Sequence, residues 1–229
     1  MASHYLELLR QGKTLRWAGR FAEALHVLEL SAQAAEEEGE PASLALAEAL
    51  SWQGVVLVLL SKDRESLERA RHLQERALAI ELSQVGQQSP RVAETLRLLG
   101  LALEQLGARE DSLVALRQSA QIARDLGKRN RSSLETLATI SSIALELGSF
   151  DEAACAADEY LRMSVTPPLS QWEEIVGRAN AGDAFLKLGD QETAIVHYQR
   201  AVEIAHALGR QRLIDEMQGK LDGARHGKR

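Results

Sequence analysis

Gly12-Lys13-Thr14 has the last three residues of a phosphate-binding loop, in which glycine amides and a lysine would cradle the phosphates of a nucleotide. The first glycine of that loop is missing, because Glu7 stands in its place. His4, His26, His72, His197, His206 and His226 never fall four residues apart, so no helix carries a zinc-binding histidine pair. No Gly-x-Ser-x-Gly elbow presents a serine nucleophile. Cys155 is the single cysteine and sits in an alanine-rich helical stretch, where it reads as a small buried residue. Carboxylates are plentiful but lie on charged helical faces. The sequence therefore predicts no enzyme, no cofactor and no metal.

What remains is helix. Apolar residues recur at helical spacing throughout, and no alternating strand pattern competes. Eleven helices are expected at about 3–18, 21–38, 41–60, 64–83, 90–106, 109–126, 130–147, 150–163, 170–188, 191–208 and 210–224. Ser89-Pro90 supplies an N-cap with proline in the first turn, while Ser149 with Glu152 and Ser170 with Glu173 have the spacing of capping boxes. Leu-Gly pairs at 106–107, 126–127, 147–148, 188–189 and 208–209 mark helix stops.

The composition agrees with this. Apolar residues make up 45% of the chain but aromatics only 4%, so alanine and leucine must carry the burial, which favours close helix contacts. The net charge of −6 is modest and its signs are mixed, which argues against nucleic acid as a ligand. Lys128-Arg129-Arg131 and Arg225-His226-Lys228-Arg229 read as a helix-end turn and a solvated tail. The single cysteine fits a reducing compartment, and the start Met1-Ala2-Ser3-His4-Tyr5 leads directly into a helix rather than a leader. The longest apolar run, 55–60, is too short to span a bilayer, so no membrane insertion is expected and a cytoplasmic location is. The preference for arginine over lysine points to a GC-rich bacterium.

The helices pair with a rhythm. Turns at Gly19, Ser61, Gly107, Gly148 and Gly189 are spaced 42, 46, 41 and 41 residues apart. A small residue follows each turn: Ala24, Ala70, Ser112, Ala153 and Ala194. The extra residues of the second unit fall between its turn and its crossing point. The best-formed unit has Gly182, Phe185, Gly189, Ala194, Tyr198 and Ala201, and Gly12, Gly54 and Gly100 repeat its small first-helix position. Small residues at a crossing let two helix axes approach, and bulky neighbours fill the flanking grooves.

This arrangement resembles the tetratricopeptide repeat (TPR) family, in a longer-period variant similar to kinesin-light-chain, MalT-like and LGN-like repeats. The resemblance implies an all-α, right-handed α-solenoid of about five helix-turn-helix repeats in a single domain over 1–229. Its units would be about 3–38, 41–83, 90–126, 130–163 and 170–208, with a capping helix at 210–224. It also implies a protein-protein interaction scaffold or adaptor, whose first helices line a groove for a peptide or amphipathic helix. The groove positions carried over are Lys13, Arg16, Trp17, Ser51 and Val55, then Glu94, Arg97, Leu101 and Glu104, and finally Asp183, Leu186 and Lys187. The family's clamp for a chaperone-tail carboxylate is absent, since Leu9, Lys13, Ser51 and Val55 occupy its places. Trp17 suits either a partner contact or helix packing, whereas Trp52 and Trp172 read as packing. The alternative function is a ligand- or peptide-sensing regulatory domain of a bacterial signalling or transcription-regulating protein. Homo-oligomers through an uncapped end are also compatible with such an array.

Overall fold

In a computed structural model, residues 3–163 and 168–227 are described. Met1, Ala2, Lys228 and Arg229 lie outside that range, so the expected helix start and the end of the basic tail are described only from Ser3 and up to Gly227. The described chain is all-α, of the helical-repeat class, and divides into two compact units, Met1–Gly127 and Lys128–Arg229.

Unit 1 contains α1 (His4–Trp17), α2 (Phe21–Glu38), a 3₁₀ turn (Glu40–Ala42), α3 (Ser43–Leu60), α4 (Arg64–Val85), α5 (Pro90–Gln105) and α6 (Arg109–Asp125). Unit 2 contains α7 (Arg131–Glu146), α8 (Phe150–Arg162), α9 (Gln171–Lys187), α10 (Gln191–Leu208) and α11 (Gln211–Arg225). Each helix expected from the periodicity is present, with ends within two residues of expectation. The start of α3 departs for a physical reason: Glu40-Pro41-Ala42 closes a 3₁₀ turn before the α-helix begins.

The rhythm of small residues is the rhythm of burial. Ala24, Ala70, Ser112, Ala153 and Ala194 have no exposed surface. A methyl added at Gly182 would sit 2.5 Å from the Tyr198 ring, and one at Gly100 or Gly12 would sit 2.6 Å from Leu116 or Leu28. Glycine is required there by the approach of the facing helix, not by its backbone conformation. Ser141 takes this position in the fourth pair, donating its hydroxyl to the Ala153 carbonyl at 3.0 Å.

Four of the five turns within the helix pairs end on glycine at positive φ: Gly19, Gly107, Gly148 and Gly189. The second turn lacks one. There Ser61 leaves α3 in extended backbone, and Asp63 caps α4 by accepting the Ser66 N–H at 2.9 Å. Bonds from the Ser61 hydroxyl and from the Ser66 amide and hydroxyl hold the Asp63 carboxyl down at about 2.

Three expectations need correction. Ser149 forms no capping box, because its backbone N–H already bonds the Ala144 carbonyl at 2.8 Å and closes α7. Cys155 is exposed, since it falls on the outer face of α8 while Ala153, Ala154, Ala156 and Ala157 take the buried side. Trp172 does not pack between helices either: it stands 53% exposed in the first turn of α9. The Ser170–Glu173 box does form, with both reciprocal bonds present at 3.2 and 2.7 Å.

α3 is long and apolar enough to cross a membrane by length and composition, beyond what the 55–60 run suggested. Half of it is buried in unit 1, where Ala47, Ala49, Leu50 and Val56 join the core with Leu28 and Ala77. Its apolar character is that of a central helix packed on both sides.

Candidate functional site

The first helices of unit 1, α1, α3 and α5, frame a cavity of about 400 Å³, with α4 contributing from behind. Arg16, Ser51, Val55, Glu94 and Arg97, all expected groove residues, line it together. Lys13 sits at its edge and donates to Glu48 Oε1 at 2.8 Å. Trp17 is 75% exposed, and the Arg16 guanidinium lies between its ring and that of Trp52, at 4.4 and 4.9 Å from the two centroids. Leu101 and Glu104, further along α5, are half-buried and do not line the cavity.

The charges here are mostly committed. Glu48 receives both Lys13 and Arg91, the latter at 3.3 Å. Burial pushes the Glu48 carboxyl up, but the bond and charge of Lys13 and the charge of Arg91 outweigh it, so Glu48 titrates below its ordinary range. Arg97 is buried and paired with Glu94 at 2.6 Å. Ser51 turns its hydroxyl away, donating to Gln74 Oε1 at 3.0 Å. Arg16 differs: among the described residues it has no carboxylate partner, its Nε is buried without a hydrogen bond, and desolvation lowers its pKa. The two indole faces provide its compensation.

Sequence reasoning missed Glu81, which lines the same cavity from α4. The signal was there. Leu67, Ala70, Gln74, Ala77 and Glu81 form one buried stripe at three- and four-residue spacing, so the stripe itself carries Glu81 inward. Burial raises its pKa and the Glu48 charge adds to the rise, while a Thr95 hydrogen bond and the Arg91 charge oppose it.

In unit 2 the expected groove residues behave differently. Asp183 is engaged in the structure rather than open to a partner: it accepts the Tyr198 hydroxyl at 2.6 Å and the Lys220 ammonium at 2.7 Å on both oxygens. Lys220 belongs to α11, so this cluster docks the last helix. Leu186 packs against the α9–α11 core, and Lys187 is exposed at the end of α9. Among the described residues no three His, Cys, Asp or Glu side chains gather as a metal site.

Residues 178–207, which span most of α9 and α10, match the family model of the tetratricopeptide repeat. No curated protein matches the sequence closely enough to count. Solved structures are similar in fold. BtubC from P. vanneervenii shares 16% identity over 87% of this chain and 78% of its own, with a TM-score of 0.73. A putative kinesin light chain of Podosopora anserina with nearly identical TPR-like repeats shares 14% over 92% and 99%, with a TM-score of 0.70. YrrB, described as a TPR protein with an unusual peptide-binding site, shares 15% over 95% and 93%, with a TM-score of 0.66. The chain thus carries a tetratricopeptide repeat and has the all-α fold of tetratricopeptide-repeat proteins.

Proposed function

We propose that this protein is a cytoplasmic interaction scaffold that holds a peptide or helical segment of another protein against the first-helix face of unit 1. The carrying observation is the Arg16 guanidinium clasped between Trp17 and Trp52 at the mouth of a cavity of about 400 Å³. An exposed indole beside a partly buried cation is the residue chemistry of binding hot spots, and apart from the stacked Arg16 guanidinium Trp17 is left 75% exposed. The fold likeness to YrrB, which has a peptide-binding site, supports the same reading.

The test uses a partner identified by photo-crosslinking from position 17 in the native host, followed by titration of the crosslinked segment as a synthetic peptide. Trp17→Ala and Arg16→Gln should each weaken binding ~10-fold or more, as truncation of a central anchor does, with the helical circular dichroism unchanged. Affinity unaffected by both substitutions would place the interface elsewhere.

A further inference from the structure

The unit 1 cavity contains one acceptor that the protein does not use. Glu81 is 3% exposed, and its Oε2 has no hydrogen-bond partner. Its charged neighbours around the cavity are Arg16 on α1, Glu48 on α3, and Arg91, Glu94 and Arg97 on α5. Arg91 pairs with Glu48 and Arg97 with Glu94, and among the described residues no ion pair includes Glu81. Leaving a buried carboxylate oxygen unbonded is costly, and a charge-assisted donor removes most of that cost. Trp52, Val55, Pro90 and Leu98 supply apolar walls suited to an aliphatic stem.

We propose that the cavity receives a lysine or arginine side chain of the bound segment, its stem along Trp52, Val55 and Leu98 and its N–H donors on the Glu81 carboxylate. This rests on the reading of unit 1 as the segment-binding face. The terminal torsion of a glutamate is soft, so the carboxylate can adjust to an incoming donor, with the Thr95 hydrogen bond as the contact it must keep or exchange. An acidic side chain on Arg16 is the competing occupant. It is disfavoured because Arg16 is already compensated by two indole faces, while an incoming anion would meet Glu48, Glu81 and Glu94. Because burial holds Glu81 toward its protonated form, pairing with a cation releases a proton and strengthens as pH rises.

The test needs no partner. The full chain is titrated with butylammonium, butylguanidinium, butan-1-ol and butyrate while following the indole N–H resonance of Trp52, identified by its loss in Trp52→Phe. The two cations should shift it saturably, and Glu81→Gln should weaken that binding ~10-fold or more, as expected for loss of a buried charge-assisted pair. The wild-type pH profile is a second readout: cation binding must fade on acidification. The proposal is overturned if neither cation binds, if Glu81→Gln or acidification leaves their affinity unchanged, or if butyrate binds and Arg16→Gln abolishes it. Such a failure beside a partner peptide still sensitive to Trp17→Ala removes only this inference. Cation binding beside an insensitive partner peptide removes the segment-binding reading instead.

Discussion

Gln74 and Glu81 sit on the same buried stripe of α4 and meet opposite fates. Gln74 takes the place that Leu28, Leu116 and Tyr198 hold in other pairs, and both its amide oxygen and nitrogen are bonded: it accepts the Ser51 hydroxyl at 3.0 Å and donates to the Ser51 carbonyl at 2.9 Å. Glu81 has one oxygen unbonded, and its raised pKa makes it a stability determinant. The folded state holds its proton to higher pH than the unfolded chain does. Stability is therefore undiminished below the ordinary value of 4.5 and falls as pH rises through the elevated folded value. Glu81→Gln should accordingly stabilise the protein in urea melts at neutral pH, with the gain shrinking toward nothing below pH 4.5; a gain that ignores pH would refute this account. Glycine offers a second pair of outcomes. Gly182→Ala drives a methyl into the Tyr198 ring, which Asp183 holds in place, and should cost ~1–3 kcal/mol. Gly219→Ala, on α11 with no atom within 4 Å of the added carbon, should instead stabilise by up to ~1 kcal/mol. Thermal melts of the two variants should shift in opposite directions. Gly182 was legible in the sequence because packing repeats its small residue at fixed spacing. Glu81 was legible only through its neighbours: a search for apolar residues passes over a carboxylate that the stripe of Leu67, Ala70, Gln74 and Ala77 carries inward.

Helix ends show which local signals hold once the chain folds. Ser170-x-x-Glu173 and Ser149-x-x-Glu152 are the same sequence pattern. Ser170 follows a non-helical stretch, so its amide is available to Glu173 and the box closes. Ser149 follows Gly148 at positive φ, and its amide is already used to terminate α7. A tight turn between two helices leaves one backbone N–H for two competing jobs, and the terminating bond wins. Ser170→Ala should therefore cost ~1 kcal/mol, while Ser149→Ala should stay within ~0.3 kcal/mol, in chemical denaturation of each variant. Equal costs would mean that Ser149 caps after all. The exposures of Cys155 and Trp172 were not legible for a related reason. Which side of a helix is covered depends on neighbours distant in sequence, and a helix-end tryptophan has the same local context whether covered or not. The same limit applies to Asp183, whose engagement depends on Lys220, 37 residues away on α11.

At the scale of the molecule, burial follows neighbour contacts. Helices in unit 1 pack on the next in order: α1 on α2, α2 on α3, α3 on α4, α4 on α5 and α5 on α6. In unit 2, α7 to α11 do the same. The core of α1–α4, with Leu28, Ala47, Leu50 and Val56, draws only on unit 1, and that of α9–α11, with Ile175, Tyr198, Met217 and Leu221, only on unit 2. Stability in such a chain is a sum of local terms and nearest-neighbour interfaces, so damage stays near its source. Two matched substitutions measure how far it spreads. Gly12→Ala places a methyl 2.6 Å from Leu28 in unit 1, and Gly182→Ala places one 2.5 Å from Tyr198 in unit 2. Each should accelerate native-state amide exchange within its own unit, most at the substituted helix pair, and leave protection across the 127/128 boundary unchanged. Were residues 1–229 instead to unfold as one cooperative unit, either substitution would accelerate exchange in both units alike. Nearest-neighbour packing favours the local response, because the atoms nearest to each added methyl, on Leu28 and Ala24 or on Tyr198, belong to the paired helix.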